Sequence, residues 1–222
     1  MATMGEMLGV ISHQMKQPLN VLSLYCSDLK DSYKFNEIDD EFIDDFSKKT
    51  KEQIHFLNKT IDGFRDFFDP HKLKSSFLLN DAVTKSLSLV NAQLCVDNIE
   101  VIINIKKEKV FGIITELEQV ILNLLTNAKD AFIERNIEKR IIRISSNEDS
   151  KNTILIIEDN AGGIKEENLE QIFNPYFTTK KEGTGTGLYM VKLVIKSSFN
   201  GQLELKNSDE GIKFIISLPK QQ

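Results

Sequence analysis

Residues 116–132, ELEQVILNLLTNAKDAF, constrain the fold of this chain more than any other stretch. Leu117, Val120, Ile121, Leu124, Leu125, Ala128 and Phe132 recur every three or four residues, the period of a helix that buries one face. Thr115 with Glu118 three positions on predicts a capping-box start. At about 100° per residue, Asn123, Asn127 and Asp130 gather on a strip beside the apolar face, with Glu116 close by. Two amides and a carboxylate in a half-buried strip cost free energy unless they meet partners, and a hydrated divalent cation bridging to phosphate would meet them. A solvated helix edge explains the same pattern, so this stretch alone leaves both readings open.

Composition narrows the class. The 222 residues suffice for one large or two small domains, and 41% hydrophobic with 27% charged residues describe an ordinary globular protein. A net charge of −5 argues against nucleic acid and against a basic membrane-binding surface. No apolar run is long enough to span a bilayer and the first residues lack a leader pattern, so the chain is expected to be cytoplasmic, without membrane contact. Cys26 and Cys95 are too few for a disulfide framework or a zinc site and are expected to be buried or half-buried.

In the first seventy residues, Met4, Leu8, Ile11, Met15, Pro18, Leu22, Tyr25 and Leu29 alternate steps of four and three, a heptad seam. Ile43, Phe46, Ile54, Leu57, Ile61, Phe64 and Phe68 repeat the habit, and DSYKFNEIDD between them carries turn and helix-start signals. A helical hairpin follows. Two helices cannot shelter so many large side chains, whereas two hairpins form a four-helix bundle, so a homodimer is expected. Pro18 should remove a backbone hydrogen bond from the first helix and bend it. His13 falls off the seam, with Gln17 one turn away on the same face. A lone exposed histidine is usually inert, which is the reading for His55 and His71. In SHQMKQPLN, however, an exposed neutral imidazole on a rigid helix has a free lone pair and makes a plausible phosphoryl acceptor.

A proline ends the second helix, and residues 71–76 read as a linker between a helical domain at 1–70 and a second domain at 77–222. Beyond it the expected order is a strand at FLL, a helix capped by Asn80 or Asp81, and an alternating strand through Ile99, Val101, Ile103 and Ile105. A turn at 106–109 leads to the helix already described, then two strands, a helix from Leu188 and a final hairpin. This mixed order predicts an α+β two-layer sandwich. In DNAGGI, Asp159 ends a strand and is followed by backbone without side-chain bulk, which suits a flat ligand with an exocyclic amine, or equally a tight turn. The glycines of EGTGTGL lead into a helix N-terminus, where amide N–H groups and the helix dipole favour phosphate. Between the two, NPYFTTKKEG reads as a flap that a nucleotide would order. No Walker loop is present.

In this order the stretches resemble the transmitter portion of sensor histidine kinases of two-component systems, across almost the whole chain. SHQMKQPLN is similar to the phosphoacceptor box, ELEQVILNLLTNAKDAF to the asparagine box, DNAGGI and GTGTGL to the two glycine boxes and FNPYFTTK to the lid. Each is weak alone; five in sequence are specific. The resemblance implies a dimerisation and phosphotransfer hairpin followed by the ATP-binding sandwich shared with gyrase-type topoisomerases and MutL proteins. It implies ATP and Mg2+ as cofactors, a response regulator receiver domain as partner and a sensor domain upstream of this stretch.

By position, the resemblance assigns phosphoryl acceptance to His13, metal coordination to Asn127 and support of metal or phosphates to Asn123. Asp130 stands where some relatives carry lysine. Asp159 takes the adenine amine, with Ala161, Gly163 and Ile164 in the same nucleotide-binding loop; Ala161 replaces a usual glycine. Phe173 anchors the lid, and Lys180, Gly185, Thr186, Gly187 and Leu188 meet the phosphates. Gln14 replaces the acid that commonly follows the phosphoacceptor, and an amide is no general base. Gln17 matches the polar residue that orients water for dephosphorylating the regulator. The expected activity is autophosphorylation of His13 and transfer to a regulator aspartate; the alternatives are a nucleotide-gated dimerising switch and a regulator phosphatase with a weakened kinase.

Overall fold

The computed structural model describes residues 2–35, 37–67, 73–180, 185–208 and 210–220; side chains of 2–14, 17, 55–56 and 59–67 lie outside the description. The chain divides into two compact units, Met1–His71 and Lys72–Gln222.

The first unit holds helices α1 (Ala2–Phe35) and α2 (Asp40–Phe67), which pack on each other. Asp39 starts α2: its carboxylate accepts the Phe42 N–H at 2.8 Å, satisfying one of the donors that every helix start leaves open. α1 continues through Pro18, which is buried. On the described part of its seam, Met15, Leu22, Tyr25 and Leu29 are half-buried. The second seam differs from its expected register. Phe42, Phe46 and Leu57 are half-buried, whereas Ile43 and Ile54 are exposed, because the polar residues Thr50 and Gln53 share the inner face. Cys26, expected inside, is exposed, as is Cys95 in the second unit. Both lie on outward helix faces, where a small thiol needs no shelter.

The second unit is an α+β sandwich. Strands β2 (Ile99–Asn104), β4 (Arg140–Glu148), β5 (Asn152–Asp159), β6 (Gln202–Asn207) and β7 (Ile212–Pro219) form a five-stranded sheet in the order β2-β4-β5-β7-β6. β2 runs parallel to β4, and the other pairs are antiparallel. Helices α3 (Leu79–Val96), α4 (Ile114–Glu134) and α6 (Gly187–Ser197) make the second layer, α4 packing against both of the others. β1 (Ser75–Leu78) pairs antiparallel with β3 (Lys109–Gly112), a strand where the sequence suggested only a turn, and a short α5 (Glu166–Leu169) follows the β5 loop. β1 begins at Ser75, inside the stretch read as linker.

The periodicities do the folding. All seven apolar residues predicted for α4 are buried, Leu117, Ile121, Leu125 and Phe132 completely. Each such side chain contributes about 1.5–3 kcal/mol of transfer free energy. They meet the alternating inner faces of β4 and β5, where Ile142, Ile144, Leu155 and Ile157 are likewise buried. The alternation fades only at β2, an edge strand whose Ile102 and Ile103 are both exposed, so Ile103 does not join the core as expected.

The predicted caps are replaced by tertiary contacts. α4 starts at Ile114 with no side-chain cap, so Thr115 and Glu118 form no capping box. Glu118 is instead buried against α3: Lys85 Nζ lies 3.1 Å from its carboxylate, and Ser86 Oγ donates to its carbonyl at 3.1 Å. α3 likewise begins at Leu79, before Asn80 and Asp81, with no side-chain cap; the Leu79 N–H donates to the Glu108 carbonyl at 3.0 Å.

Candidate functional site

β5 fixes the first element of the site. Its buried positions are Thr153, Leu155, Ile157 and Asp159, so the two-residue period of a strand carries a carboxylate onto the core face at the strand's last position. Asp159 is 8% exposed, and its Oδ1 accepts the Ala161 N–H at 2.9 Å. Burial pushes its carboxyl above the usual 3.8, while the Ala161 and Ile212 N–H groups and the nearby Arg135 charge pull it back. A carboxylate held by N–H donors in a largely apolar place suits a ligand that donates a hydrogen bond.

The loop after Asp159 is shaped by its neighbours. Ala161 is completely buried, and the N–H of Gly162 donates to the Glu210 carbonyl at 2.9 Å. A Cβ on Gly163 would stand 2.0 Å from the Ser208 carbonyl oxygen, so only glycine lets this loop reach the turn between β6 and β7. Asn207 then holds Ile164 at both main-chain groups, accepting its N–H at 2.6 Å and donating to its carbonyl at 2.7 Å. Asn160 fixes the other side, accepting the Ile141 N–H and donating to the Lys139 carbonyl, each at 2.8 Å. The loop is therefore braced before any ligand arrives.

The second element is the polar edge of α4. Asn123, Asn127 and Asp130 are half-buried along it. Lys180 reaches this edge from the flap, its Nζ 2.8 Å from Asp130 Oδ2 and 3.2 Å from Asn127 Oδ1. Lys129 Nζ lies 3.7 Å from the other Asp130 oxygen. An amide oxygen and a carboxylate oxygen thus converge on one cation. Glu116, at the start of α4, is buried.

The third element is the start of α6. Gly187 opens the helix beside Asn127, whose Nδ2 would lie 3.7 Å from a Cβ at this position. Thr186 stands at the N-cap without a side-chain cap, so the first-turn N–H groups are presented as a helix N-terminus does to an anion. Gly185, with φ +65°, accepts the Tyr176 N–H at 3.0 Å and so ties together the two ends of the flap. Thr186 and Leu188 are half-buried. Phe173, before the flap, lies beneath the Lys192 ammonium of α6, 5.4 Å from its ring centre.

The structure thus brings Asn127, Asp130, Lys180 and Gly187 together, and groups Asp159, Ala161, Gly163 and Ile164 in one braced loop. The side chains of His13 and Gln17, on α1, lie outside the described residues, as do residues 181–184 of the flap and 71–72 of the expected linker. Arg135 and Asn207 were not picked out from sequence, since each acts on main-chain groups far along the chain. A basic residue just beyond Phe132, at a helix end, was the available signal.

The donor set fits the group the sequence implies. Among the described residues no cluster of three or more histidine, cysteine or acidic side chains could hold a metal by itself. One amide and one carboxylate oxygen suit a hard cation that keeps water and takes phosphate oxygens as its other ligands. Among the described residues no helix is long and apolar enough to cross a membrane.

Residues 112–222 match the family described as histidine kinase-, DNA gyrase B- and HSP90-like ATPase. The chain is 31% identical to the two-component sensor PprA of Pseudomonas aeruginosa over 99% of its own length, covering 24% of that protein. It is 30% identical to the signal transduction histidine-protein kinase AtoS of Escherichia coli, again over 99% of this chain and 35% of the relative. The chain therefore spans about a quarter to a third of the length of such relatives. Among solved structures, the catalytic domain of histidine kinase ThkA superposes with a TM-score of 0.60 at 29% identity, covering 67% of this chain and 96% of that one. ThkA in complex with the response regulator TrrA shares the fold over 99% of this chain and 63% of ThkA, with a TM-score of 0.69 at 23% identity. With Asp159 closing β5, Asn127 on the edge of α4 and a glycine-led α6 beside it, this chain belongs to the histidine kinase-, DNA gyrase B- and HSP90-like ATPases.

Proposed function

We propose that the chain is the transmitter part of a homodimeric sensor histidine kinase: it binds ATP with Mg2+, phosphorylates its own His13 and passes the phosphoryl group to an aspartate of a response regulator receiver domain. Residues 1–70 serve as the dimerisation and phosphotransfer domain, 71–76 as the linker and 77–222 as the ATP-binding domain, on the cytoplasmic side, where ATP is available, and downstream of a sensor domain. The observation that carries the reading is the convergence of Asn127, Asp130 and Lys180 beside the glycine-led start of α6. This combines oxygen ligands for a hard cation, a positive charge on the flap and a helix N-terminus for phosphates. The exposed Leu24, Ile43 and Ile54 of the hairpin favour a second copy that covers them.

In this reading Asp159 accepts a hydrogen bond from the adenine amine, and Ala161, Gly163 and Ile164 form the floor of the base pocket. Asn127, with Asn123 and Asp130 on the same edge, holds the metal through oxygen. When bound, Mg2+ neutralises charge on the phosphates. Lys180 leaves α4 for the phosphates, where it joins the N–H groups of Gly185, Thr186, Gly187 and Leu188, while Phe173 anchors the flap. Catalysis consists of alignment and charge neutralisation. A lone pair of the His13 imidazole attacks the γ-phosphorus. The N–P bond forms as the bond to the β–γ bridging oxygen breaks, ADP leaves, and the imidazole proton passes to solvent, since Gln14 cannot take it. An aspartate oxygen of the regulator then displaces the histidine nitrogen.

The test is incubation with γ-labelled ATP and Mg2+ beside His13→Ala and Asn127→Ala. The expected label is lost in acid, survives base and is absent from both variants. Nucleotide binding without label in the parent chain would refute the kinase reading. Gln14 and Gln17 together favour regulator dephosphorylation as a second activity, seen as faster loss of label from a phosphorylated receiver and abolished by Gln17→Ala.

A further inference from the structure

Arg135 follows the last residue of α4 and crosses to the loop after β5. Its Nη1 donates to the Ala161 carbonyl at 2.8 Å and also to the Gly162 carbonyl. Ala161 is thus held at both main-chain groups: its N–H by Asp159 and its carbonyl by Arg135. Gly162 makes the approach possible. Its φ is +78°, and a Cβ there would lie 2.8 Å from Arg135 Nη1, so a side chain at this position would push the guanidinium off the loop. Both bonds come from the same guanidinium nitrogen, which stands between the two carbonyls.

We propose that Arg135 is a positioning residue for the base end of the nucleotide site, holding the Ala161–Gly162 turn and supplying the positive charge that keeps Asp159 ready to accept a hydrogen bond from an exocyclic amine. The inference rests on the adenine reading of Asp159 given above. The groups around Asp159 decide the electrostatics. Burial favours its neutral form, and Glu158 on the same strand adds to this, although Lys213 Nζ lies 3.0 Å from the Glu158 carboxylate. The N–H groups of Ala161 and Ile212 favour the charged form, and Arg135 is the nearby cation. A neutral Asp159 carries a proton of its own and is a weaker acceptor for the amine than the carboxylate. Removing Arg135 therefore both frees the turn and shifts Asp159 towards the protonated form.

The experiment is calorimetric titration of the whole chain with ADP and with IDP, from neutral pH down towards the carboxyl range, as far as the parent stays folded. The proteins are the parent, Arg135→Met and Arg135→Lys. In Arg135→Met, ADP should bind about tenfold more weakly at neutral pH, the worth of one charge-assisted hydrogen bond. The acid-side midpoint of binding should move upward. Arg135→Lys should keep the parent midpoint, because the charge remains, yet bind ADP more weakly at every pH, because the lysine nitrogen ends one bond short of where Nη1 meets the two carbonyls. IDP, which lacks the amine, should bind weakly to all three. A purely structural arginine would lower ADP and IDP affinity alike without moving the midpoint, and that result overturns the proposal. Should Arg135→Met lack the parent's circular dichroism, Arg135→Lys decides, and parent-like ADP affinity in it overturns the proposal. Failure of the parent to bind ADP at any pH removes the adenine reading itself, and the proposal with it.

Discussion

Lys180→Met separates the two jobs that the flap lysine performs in this reading. In the nucleotide-free protein its ammonium lies 2.8 Å from Asp130 and 3.2 Å from Asn127, but the Lys180 side chain is 30% exposed and that of Asp130 44%. An ion pair so open to water contributes under about 1 kcal/mol, and Lys129 remains 3.7 Å from Asp130 to replace part of it. For a domain of this size that is a melting shift of at most about 2–4 °C, smaller still at high salt. The phosphate contact differs, because it forms against bound, poorly hydrated anions. Losing a charge-assisted hydrogen bond there costs about 1.5–3 kcal/mol, or roughly ten- to hundredfold in affinity. The assay pairs thermal melting of the free protein with calorimetric titration of a non-hydrolysable ATP analogue and Mg2+. Two outcomes refute the reasoning: a melting loss equivalent to several kcal/mol, which would make the pair structural, or analogue affinity within about twofold of the parent.

Asp159→Asn should raise the melting temperature of the free protein at neutral pH while abolishing tight adenine-nucleotide binding. The folded-state pKa of Asp159 lies above its ordinary 3.8, so between the two values the folded form binds more protons than the unfolded form and stability falls as pH rises. Melting curves across that window should show the decline in the parent and not in the variant. Gly185→Ala forces a Cβ to 2.3 Å from the Tyr176 carbonyl carbon at φ +65°; at a strain of about 1–3 kcal/mol it should open the Tyr176–Gly185 clasp, read as weaker ATP-analogue binding with a modest melting loss. Phe132→Ala empties a completely buried site and should lower stability by about 3–5 kcal/mol in denaturant titration.

The sequence disclosed most where a period is long. α4 was readable because seven apolar positions obey one repeat, and the polar strip followed from the same angle. β5 was readable because alternation runs through Leu155 and Ile157 to Asp159. β3 was not, since KVFG is short, and its pairing with β1 is a contact between distant residues that no local pattern records. The caps misled for a related reason: Glu118 has the right spacing for a box, but Lys85 and Ser86 of α3 offer it better partners once the layer assembles. Exposure of both cysteines was equally invisible, because a small residue leaves no amphipathic signal.

Arg135 shows where local reading ends. A charged residue at a helix terminus has a sufficient local explanation in the helix dipole, so nothing in the sequence demands more. Only the fold reveals that the helix ends where the β5 loop turns, exposing two carbonyls to one guanidinium. The consequence is geometric. Asn127 and Arg135 are eight residues apart on and just beyond one helix, roughly 12 Å of axial rise. That is the scale on which a base and its phosphates separate. In the proposed reading one rigid element would bear on both ends of the nucleotide, through the Asn127 amide at one and the loop-holding Arg135 at the other. Its register against the sheet, set by side chains such as Phe132 and Leu125, is therefore also the spacing of the site.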